Sequence, residues 1–595
     1  MTESRRVLHR GSTSPAAAVM IAVVLVAIVQ AVQVWRELPL LIDADLPNPD
    51  SYYRLVLLRD RAPSAPFNWV ARDNAPDGSW VHWSLPYSVT LWASHRPLRW
   101  LGIGEDEALR YAGGALTVLS VLLVAGFVGL AATRIAPARP VMVTGLVLAS
   151  SVPMFAYGRV VQITHHIFML VPLAAAAACL LQPPQLRRPS IDVLGGALLG
   201  LALWVSPETM PFLVGLAGVR LALRLQHAQS AALGPIAAGL VATTLLAWTV
   251  DPPPPGFSVW ALDHISLAYV SLVVLLAGLL AAGDLCASRR VPLRRSLPAL
   301  VVLGAIAVLS WLLLVPGARQ GPQGLVPDEL SRLFWGDIVE LRGVRLTAEW
   351  IGFLTMPLAA AALAAVSGWR QRSLWHGALA MLALGYALLG IWHMRMGAAA
   401  SVAAALAIAA GAATMRAMDP RNDGSLSARE LGAALCVALL PHAQLIAYQL
   451  SLPAAVVEKI RQADATCSLA PIADTLNRLP SATFLTPLVS GPEFLYRTHH
   501  RVIAGPYHHN ADGMLDSFRA WLDAGDGRVQ EILRRRGIGY VLGCVRYQAA
   551  LQGEAGQRTL MQRVVDGDVP EWLEPMPWPA GIQTGWRLYR VSLAQ

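Results

Sequence analysis

Residues 15–34 read PAAAVMIAVVLVAIVQAVQV, an apolar run that contains no charged side chain. A helix needs about 20 predominantly apolar residues to cross the hydrocarbon core of a bilayer. Arg5, Arg6 and Arg10 precede the run, and no small-residue cleavage site follows it cleanly. We therefore expect a retained first transmembrane helix with its N-terminus inside, rather than a cleaved signal peptide.

The composition of the whole chain extends this conclusion. Of 595 residues, 55% are hydrophobic and only 14% are charged. Apolar runs of about 17–25 residues recur along the chain, which is the length that spans a bilayer. Backbone groups inside a bilayer must bond within their own segment, so these runs predict helices. The predicted fold class is a multi-pass α-helical membrane protein.

The net charge is +9, and the basic side chains are distributed along the chain as in a membrane protein. Arginines cluster in short loops between apolar runs, most densely at Arg289, Arg290, Arg294 and Arg295. The positive-inside rule assigns such loops to the cytoplasmic face. No basic patch carries the interleaved aromatic side chains that stack bases, so we expect no nucleic acid partner.

Threading the apolar runs through the membrane predicts about 13 transmembrane helices. They lie at about 16–36, 111–133, 140–157, 166–182, 191–205, 209–225, 230–250, 265–283, 297–315, 350–367, 375–392, 397–415 and 430–452. Residues 1–454 then form the transmembrane domain, with long outer loops at about 37–110 and 316–349. Residues 455–595 follow an odd number of crossings and are expected outside.

The outer tail is predicted to be a small α/β domain. Strand-like runs at Ala482–Leu485, Arg501–Ala504 and Tyr540–Leu542 alternate with helix-like runs at Ile472–Leu479 and Arg528–Arg536. Cys467 and Cys544 are the only cysteines of this tail, in a compartment that permits disulfides, so we expect them to pair. No spacing in the sequence suits a zinc site. We expect a bacterial inner membrane location with a periplasmic tail.

The first outer loop carries the strongest candidate site. Asp43, Asp45 and Asp50 lie just beyond helix 1. Close carboxylates repel unless a cation, a proton or an arginine compensates them. Hard oxygen ligands suit Mg²⁺ or Mn²⁺, whereas the alternative is an ordinary solvated loop. Farther on, His82 lies in an aromatic segment of the kind that often marks a membrane interface.

Other candidates lie at the outer ends of later helices. Adjacent residues on a helix diverge by about 100°, so His165 and His166 are not expected to share a metal, and one can face a pocket while the other packs. Glu340 lies in the second long loop, and Arg395 opens a helix where charge is costly and usually functional. Interfacial histidines and a snorkelling arginine are the alternatives. Glu208, beside Pro207, is a weaker candidate.

Taken together, these motifs resemble a GT-C type glycosyltransferase, closest in plan to the catalytic subunit of oligosaccharyltransferase. That family has thirteen transmembrane helices, an inner N-terminus and an outer C-terminal domain, as this thread does. The similar motifs are Asp50-Ser-Tyr52-Tyr53-Arg54-Leu55, Thr164-His165-His166, Asp337-Ile338-Val339-Glu340 and Arg395. The resemblance covers most of the membrane part.

Two departures from the family pattern stand out. Thr164 replaces the Asp of the family's Asp-His-His motif, which removes a metal ligand. The tail lacks the Trp-Trp-Asp signature that reads the acceptor sequon, and Trp572 and Trp578 are isolated. The departures predict a lipid, glycan or other acceptor instead of an asparagine side chain.

The resemblance implies a polyprenyl-phosphate-linked or polyprenyl-pyrophosphate-linked sugar donor. Asp50 would act as general base or hold a cation, and Glu340 would orient the acceptor or share that cation. Asp50, Asp45 and Glu340 would be the ligands of Mg²⁺ or Mn²⁺, although metal independence is equally compatible with Thr164. The residues expected to bind substrate are Tyr52, Tyr53, Arg54, His82, His165, His166 and Arg395.

Two other classes of protein remain open from the sequence. A transporter usually places ionisable residues on broken helices at mid-membrane, whereas here the acidic residues lie in outer loops. A non-catalytic assembly protein for envelope polysaccharide is kept open by Thr164. The tail histidines His499, His500, His508 and His509 either contact the acceptor or outer loop, or form an ordinary polar surface.

Overall fold

The computed structural model describes residues 14–62, 65–182, 188–227, 232–334, 338, 340–417, 466–523, 526–547 and 558–593. The predicted last helix at 430–452, the boundary at 454/455, Asp337 and Val339 lie outside these ranges. The helices of the membrane part are α1 Pro15–Ile42, α2 Pro49–Arg59, α3 Leu85–Trp100, α4 Glu105–Ile135, α5 Ala138–Ala149, α6 Val152–Tyr157, α7 His165–Phe168, α8 Leu170–Leu180, α9 Pro189–Val205, α10 Met210–Gln226, α11 Gly234–Val250, α12 Leu267–Ser288, α13 Leu293–Leu314, α14 Asp328–Leu333, α15 Thr347–Gln371, α16 Leu374–Trp392 and α17 Gly397–Ala417.

Within the described ranges, seven helical segments are long and apolar enough to cross a membrane. They are α1, α4, α12, α13, α15, α16 and Met394–Ala413, which includes most of α17. Shorter apolar helices occur at Pro140–Ala149, His165–Leu180, Pro189–Val205 and Gly234–Val250. The chain is therefore a multi-pass α-helical membrane protein, and the count of thirteen crossings stays a prediction.

Sequence and local chemistry set the helix ends. The Ser14 side chain accepts a hydrogen bond from the Ala17 amide at 3.1 Å, which caps α1, and Pro15 occupies the first helical position. The predicted helix at 140–157 is broken instead into α5 and α6. Ser151 caps α6 through the Met154 amide, and Pro153, which lacks an N–H, is tolerated in that first turn.

The first outer loop is more helical than predicted. Helix α1 continues to Ile42 and α4 begins at Glu105, so the loop is shorter than the predicted 37–110. It also contains α2, α3 and a short antiparallel pair, β1 Trp69–Val70 and β2 Ser79–Trp80. These elements are amphipathic or short, so a search for uninterrupted apolar runs misses them.

Small residues allow close packing in the membrane part. On α9 and α11, Gly196 and Gly239 face each other's helix. A Cβ atom at Gly196 would approach the Ile236 carbonyl oxygen to 2.0 Å, and one at Gly239 would approach the Val193 carbonyl oxygen to 2.0 Å. Glycine is required at this crossing because only a missing side chain lets the two backbones approach. By contrast, α13 exposes Val301, Ile306 and Leu309, which form a surface suited to lipid.

The C-terminal part has the α/β character that the sequence predicted. Its strands are β3 Thr483–Leu485, β4 Arg501–Val502, β5 Ile538–Cys544, β6 Leu573–Met576 and β7 Trp586–Val591, in the sheet order β4-β3-β5-β7-β6. Strand β3 pairs in parallel with β4 and β5, and the other pairings are antiparallel. The helices are α18 Ala473–Leu476, α19 Gly491–Arg497, α20 Ala511–Leu522, α21 Asp526–Arg535 and α22 Leu560–Asp566.

The predicted disulfide between Cys467 and Cys544 is confirmed. It ties the start of the C-terminal domain to the end of β5, across a sequence separation of 77 residues. Both cysteines are buried in a core cluster that also contains Trp586 and residues of α2. The disulfide therefore lies in the same packed unit that joins the C-terminal domain to the first outer loop.

Candidate active site

A cavity of about 910 Å³ lies where the first outer loop, the ends of several membrane helices and the C-terminal domain meet. Asp50, His165, Glu340 and Arg395, four of the residues predicted from sequence, line it. His82 lines it as well, together with Glu208, Asp263, Tyr507 and His508. Residues that are far apart in sequence thus face one space, and a shared space is what a binding or catalytic site requires.

Asp50 lies in the first turn of α2, where the amide dipoles of the helix favour a carboxylate. Asn48 caps the helix by accepting from the Asp50 amide at 2.8 Å. The hydroxyl of Tyr507 donates to Asp50 Oδ1 at 3.0 Å. Burial raises the pKa of Asp50 to about 6, with a further contribution from Glu340, while Arg395, Tyr507 and Arg54 oppose the rise. A carboxyl with this pKa can accept a proton near neutral pH.

Arg395 joins two carboxylates from different parts of the chain. Its Nη1 donates to Glu208 Oε1 at 2.7 Å, and its Nη2 donates to Glu340 Oε2 at 3.0 Å. The Arg395 amide also donates to the Glu340 carbonyl at 3.0 Å. The guanidinium is therefore fixed from two sides and from its own backbone, with 18% of the side chain exposed on the cavity side. A fixed, partly exposed guanidinium is suited to phosphate oxygens.

The adjacent histidines take different roles, as the helical geometry predicted. His165 lines the cavity, whereas His166 is buried outside the residues that line it. The ring of His166 packs edge-on to Tyr157 at 5.2 Å, and its Nε2 lies 3.8 Å from Glu340 Oε2. Thr164 is also buried. The structure thus supports contact of His165, and not of His166, with a ligand in the cavity.

Tyr52, Tyr53 and Arg54 lie behind the cavity wall, so the structure does not support their predicted direct contact with substrate. Tyr52 donates to the Ala44 carbonyl at 2.9 Å, which closes the turn after α1. Tyr53 donates to Asp73 at 2.5 Å. The guanidinium of Arg54 lies 3.9 Å from the centre of the Trp83 ring. Tyr52 and Tyr53 are buried against Tyr496 and Tyr507 of the C-terminal domain, whereas Arg54 is buried against Trp83 and Tyr87 of the loop itself.

The predicted metal set of Asp50, Asp45 and Glu340 does not assemble. Asp45 is exposed and does not line the cavity. The negative charge of Asp45 instead contributes to the raised pKa of Tyr52 and of Glu493, which lies in the C-terminal domain. Glu340 is already compensated by Arg395, and Thr164 supplies no carboxylate. Because Asp45 lies outside the cavity and Glu340 is paired with Arg395, these three carboxylates do not fit a dedicated Mg²⁺ or Mn²⁺ site.

His82 lies in a cluster with Asp263, His508 and His509 that the sequence did not predict. His508 Nε2 lies 2.5 Å and His509 Nε2 lies 2.7 Å from the same oxygen of Asp263. The rings of His82 and His508 are 4.6 Å apart. Two of the predicted tail histidines thus reach the membrane part, whereas His499 is exposed and hydrogen-bonded to Asn477 at 3.1 Å. His500 is buried within the tail itself.

The first outer loop and the C-terminal domain are joined by many hydrogen bonds. Arg72 donates to three backbone carbonyls of the domain, those of Leu495 at 2.7 Å, Thr498 at 2.7 Å and His500 at 2.9 Å. Asp73 accepts from the Gly505 amide at 2.8 Å. Burial raises the pKa of Asp73 to about 6, and its hydrogen bonds limit the rise. This junction places the hydroxyl of Tyr507 within hydrogen-bond distance of Asp50.

Four functional candidates went unrecognised or undervalued in the sequence. Glu208 was only a weak candidate, and Asp73, Asp263 and Tyr507 were not singled out. Their only local signals are a carboxylate after a proline at Glu208 and a carboxylate beside a histidine at Asp263. Such dipeptides are common in loops, so the distinguishing information is the contact in three dimensions.

No protein-family model and no curated protein matches the chain. Among solved structures, the chain is similar to the archaeal oligosaccharyltransferase AglB from Archaeoglobus fulgidus in complex with an inhibitory peptide and a dolichol-phosphate. The TM-score is 0.62 at 15% identity, over 90% of this chain and 70% of that chain. It is also similar to the Archaeoglobus fulgidus oligosaccharyltransferase tethered to an acceptor peptide with the NVT sequon. The TM-score is 0.63 at 15% identity, over 90% of this chain and 69% of that one.

These likenesses establish the class of fold. The chain has the fold of these oligosaccharyltransferase structures, a likeness that the order and placement of its motifs predicted. At 15% identity the likeness shows the fold alone, and the activity depends on the chemistry of the site.

Proposed function

We propose that this protein is a membrane glycosyltransferase that transfers a sugar from a polyprenyl-phosphate or polyprenyl-pyrophosphate donor to an acceptor hydroxyl. The observation that carries the proposal is the convergence of Asp50, Glu340 and Arg395 on one cavity within a GT-C fold. The similar archaeal structure holds a dolichol-phosphate and a peptide. A cavity lined by two carboxylates and an arginine fits a lipid-borne phosphate better than a neutral solute.

Asp50 is the proposed general base. With its pKa raised to about 6, the carboxylate is ionised at neutral pH and is more basic than an ordinary aspartate. It takes the proton of the acceptor hydroxyl as that oxygen forms a bond to the anomeric carbon. The bond from that carbon to the phosphate oxygen breaks, and the phosphate leaves with the electron pair.

Arg395 is the proposed phosphate-binding residue. In the structure, Glu208 and Glu340 both hold its guanidinium. A phosphate in the cavity would meet the exposed edge of this guanidinium, and His165 lines the same space. Positive charge fixed in advance stabilises a leaving phosphate without reorganisation during the reaction. Glu340 would then position Arg395 and the acceptor, instead of binding a metal.

The donor set supports transfer without a divalent cation at Asp50 and Glu340. Arg395 would supply positive charge to the leaving phosphate, and Thr164 stands where the family pattern has a metal-binding Asp. Adding Mg²⁺ to EDTA-treated protein should leave the rate of sugar transfer unchanged. A rate that rises severalfold with Mg²⁺ would return the metal role to these carboxylates.

The acceptor and the orientation are further parts of the proposal. We favour a lipid or glycan hydroxyl because the tail lacks the Trp-Trp-Asp signature. The arginine clusters favour a cytoplasmic N-terminus and a periplasmic C-terminal domain in a bacterial inner membrane. The polyprenyl tail would lie between the helices, in the bilayer.

The test uses the purified full-length protein in lipid nanodiscs with synthetic short-chain polyprenyl-phosphate and polyprenyl-pyrophosphate sugars. Extracted envelope glycolipids serve as acceptors, and mass spectrometry detects the added sugar. Transfer by the wild-type protein, lost in Asp50→Asn and kept in Asp77→Asn, supports the proposal. Asp77 is a suitable control because it is an exposed aspartate of the same loop. Solute uptake into proteoliposomes without any sugar transfer would favour the transporter.

A further inference from the structure

We propose that His82, Asp263 and His508 form a zinc-binding site that fastens the C-terminal domain to the membrane part. The three side chains come from the first outer loop, from the segment before α12, and from the turn that begins α20. One ligand atom from each lies within 4.8 Å of the others. This proposal goes beyond the proposed function and does not require it to be correct.

The geometry needs only small movements to hold an ion. Nitrogen and oxygen ligands bind Zn²⁺ at about 2.0–2.1 Å, which places tetrahedral ligands about 3.3 Å from one another. His508 and Asp263 already lie closer than that, at 2.5 Å, and His82 must approach them by a rotation of its side chain. His509 Nε2, 2.7 Å from the same carboxylate oxygen, would help to orient that carboxylate.

One buried atom of His82 favours a metal site over a cluster held together by hydrogen bonds alone. The Nδ1 atom of His82 is buried and has no hydrogen-bond partner among the described residues. A buried polar nitrogen without a partner costs free energy, and coordination of that nitrogen to a metal ion is one way of satisfying it. Two imidazoles and one carboxylate are borderline donors that favour Zn²⁺ over Mg²⁺.

The site would also affect the cavity. His508 directly follows Tyr507, whose hydroxyl donates to Asp50. Because His508, Asp263 and His82 all line the cavity, an ion bound to them would fix this wall and leave room for water or substrate at an open position. The site therefore links docking of the C-terminal domain to the position of Asp50.

The experiment measures metal binding and does not depend on turnover. Full-length protein in detergent is dialysed against a chelator and then against buffer with a small excess of Zn²⁺, and bound zinc is counted by inductively coupled plasma mass spectrometry. Wild-type protein and His499→Ala should each retain about one zinc per chain, whereas His508→Ala should bind at least 10-fold more weakly. His499 is the matched control because it is an exposed histidine of the same domain.

A second variant and a second readout guard against misfolding. Asp263→Asn keeps the size of the side chain and should also lose the zinc, while its elution on gel filtration stays that of the wild-type protein. Zn²⁺ should raise the Tm of wild-type protein and of His499→Ala, but not that of Asp263→Asn. Equal zinc content in Asp263→Asn and wild-type protein, or no zinc retained by the wild-type protein, would overturn the proposal.

Discussion

The hydroxyl of Tyr507, in the C-terminal domain, donates to Oδ1 of Asp50, in the first outer loop, at 3.0 Å. The two residues are 457 positions apart in sequence. This hydrogen bond joins the outer domain to the carboxylate that carries the proposed chemistry. The position of the Asp50 carboxylate thus depends on both parts of the chain.

Replacing Asp50 with asparagine should lower the rate of sugar transfer by about 10²–10⁴-fold. The amide keeps the shape of the side chain but cannot accept the proton of the acceptor. The rate is measured with the purified full-length protein and its polyprenyl-linked donor. Asp77→Asn, in the same loop and exposed, should keep wild-type turnover. Near-normal transfer by Asp50→Asn would remove Asp50 from the mechanism.

The pH dependence of transfer should show a rising limb with a midpoint near pH 6. Burial raises the pKa of Asp50 to about 6, and only the ionised carboxylate acts as a base. Below that pH, kcat/KM should fall about tenfold per pH unit. A profile measured from pH 4.5 to 8 tests this. A midpoint near pH 4 would show that Asp50 titrates as an ordinary aspartate during catalysis.

The same pKa makes a prediction about stability. The ordinary pKa of 3.8 is raised to about 6 in the folded protein, so the folded state binds the proton more tightly than the unfolded chain does. The stabilisation is present in full below pH 3.8 and is lost as the pH rises through 6. Asp50→Asn does not titrate, so its Tm relative to wild-type protein should rise between pH 4.5 and 7.5. A constant difference in Tm would contradict this.

Replacing Arg395 with glutamine should destabilise the site, because Glu208 and Glu340 lose their shared counter-charge. A fully buried pair broken on one side costs about 3–5 kcal/mol. Here the three side chains are 18–27% exposed, so we expect about 1–3 kcal/mol in the free energy of unfolding.

The double variant Arg395→Gln with Glu340→Gln is the control for this charge effect. It removes one of the two uncompensated carboxylates, so part of the lost stability should return while sugar transfer stays low. Thermal unfolding in detergent and the transfer assay separate the two effects. Full transfer by Arg395→Gln would show that the guanidinium does not bind the phosphate.

Replacing Arg72 with alanine should loosen the docking of the C-terminal domain. Three carbonyls of the domain lose a charged donor, and hydrogen bonds to charged groups contribute about 1.5–3 kcal/mol. Amide hydrogen exchange in 491–502 should become faster, as measured by mass spectrometry. Arg501→Ala, an exposed arginine of the same segment, should leave the exchange unchanged. Unchanged exchange in Arg72→Ala would show that other contacts hold the domain.

The sequence by itself determined the class of molecule. Apolar runs such as 15–34 require helices in a bilayer because an unpaired backbone group there is too costly, and this rule acts on each segment alone. The disulfide also followed from the sequence, because the outer tail offers only Cys467 and Cys544. Arg395 was recognisable because charge at the outer end of an apolar helix is unusual, and Asp50 and Glu340 because they lie in carboxylate motifs of the outer loops.

Only the tertiary structure decided what those charges do. Arg395 meets Glu208, which is 187 positions away, and His82 meets Asp263 and His508 from three separate segments. Such contacts depend on how helices cross and on where the C-terminal domain docks, and local periodicity carries no information about either. The placement of Tyr52, Tyr53 and Arg54 behind the cavity wall has the same origin. The docked domain buries Tyr52 and Tyr53, and the fold of the loop itself buries Arg54 against Trp83 and Tyr87.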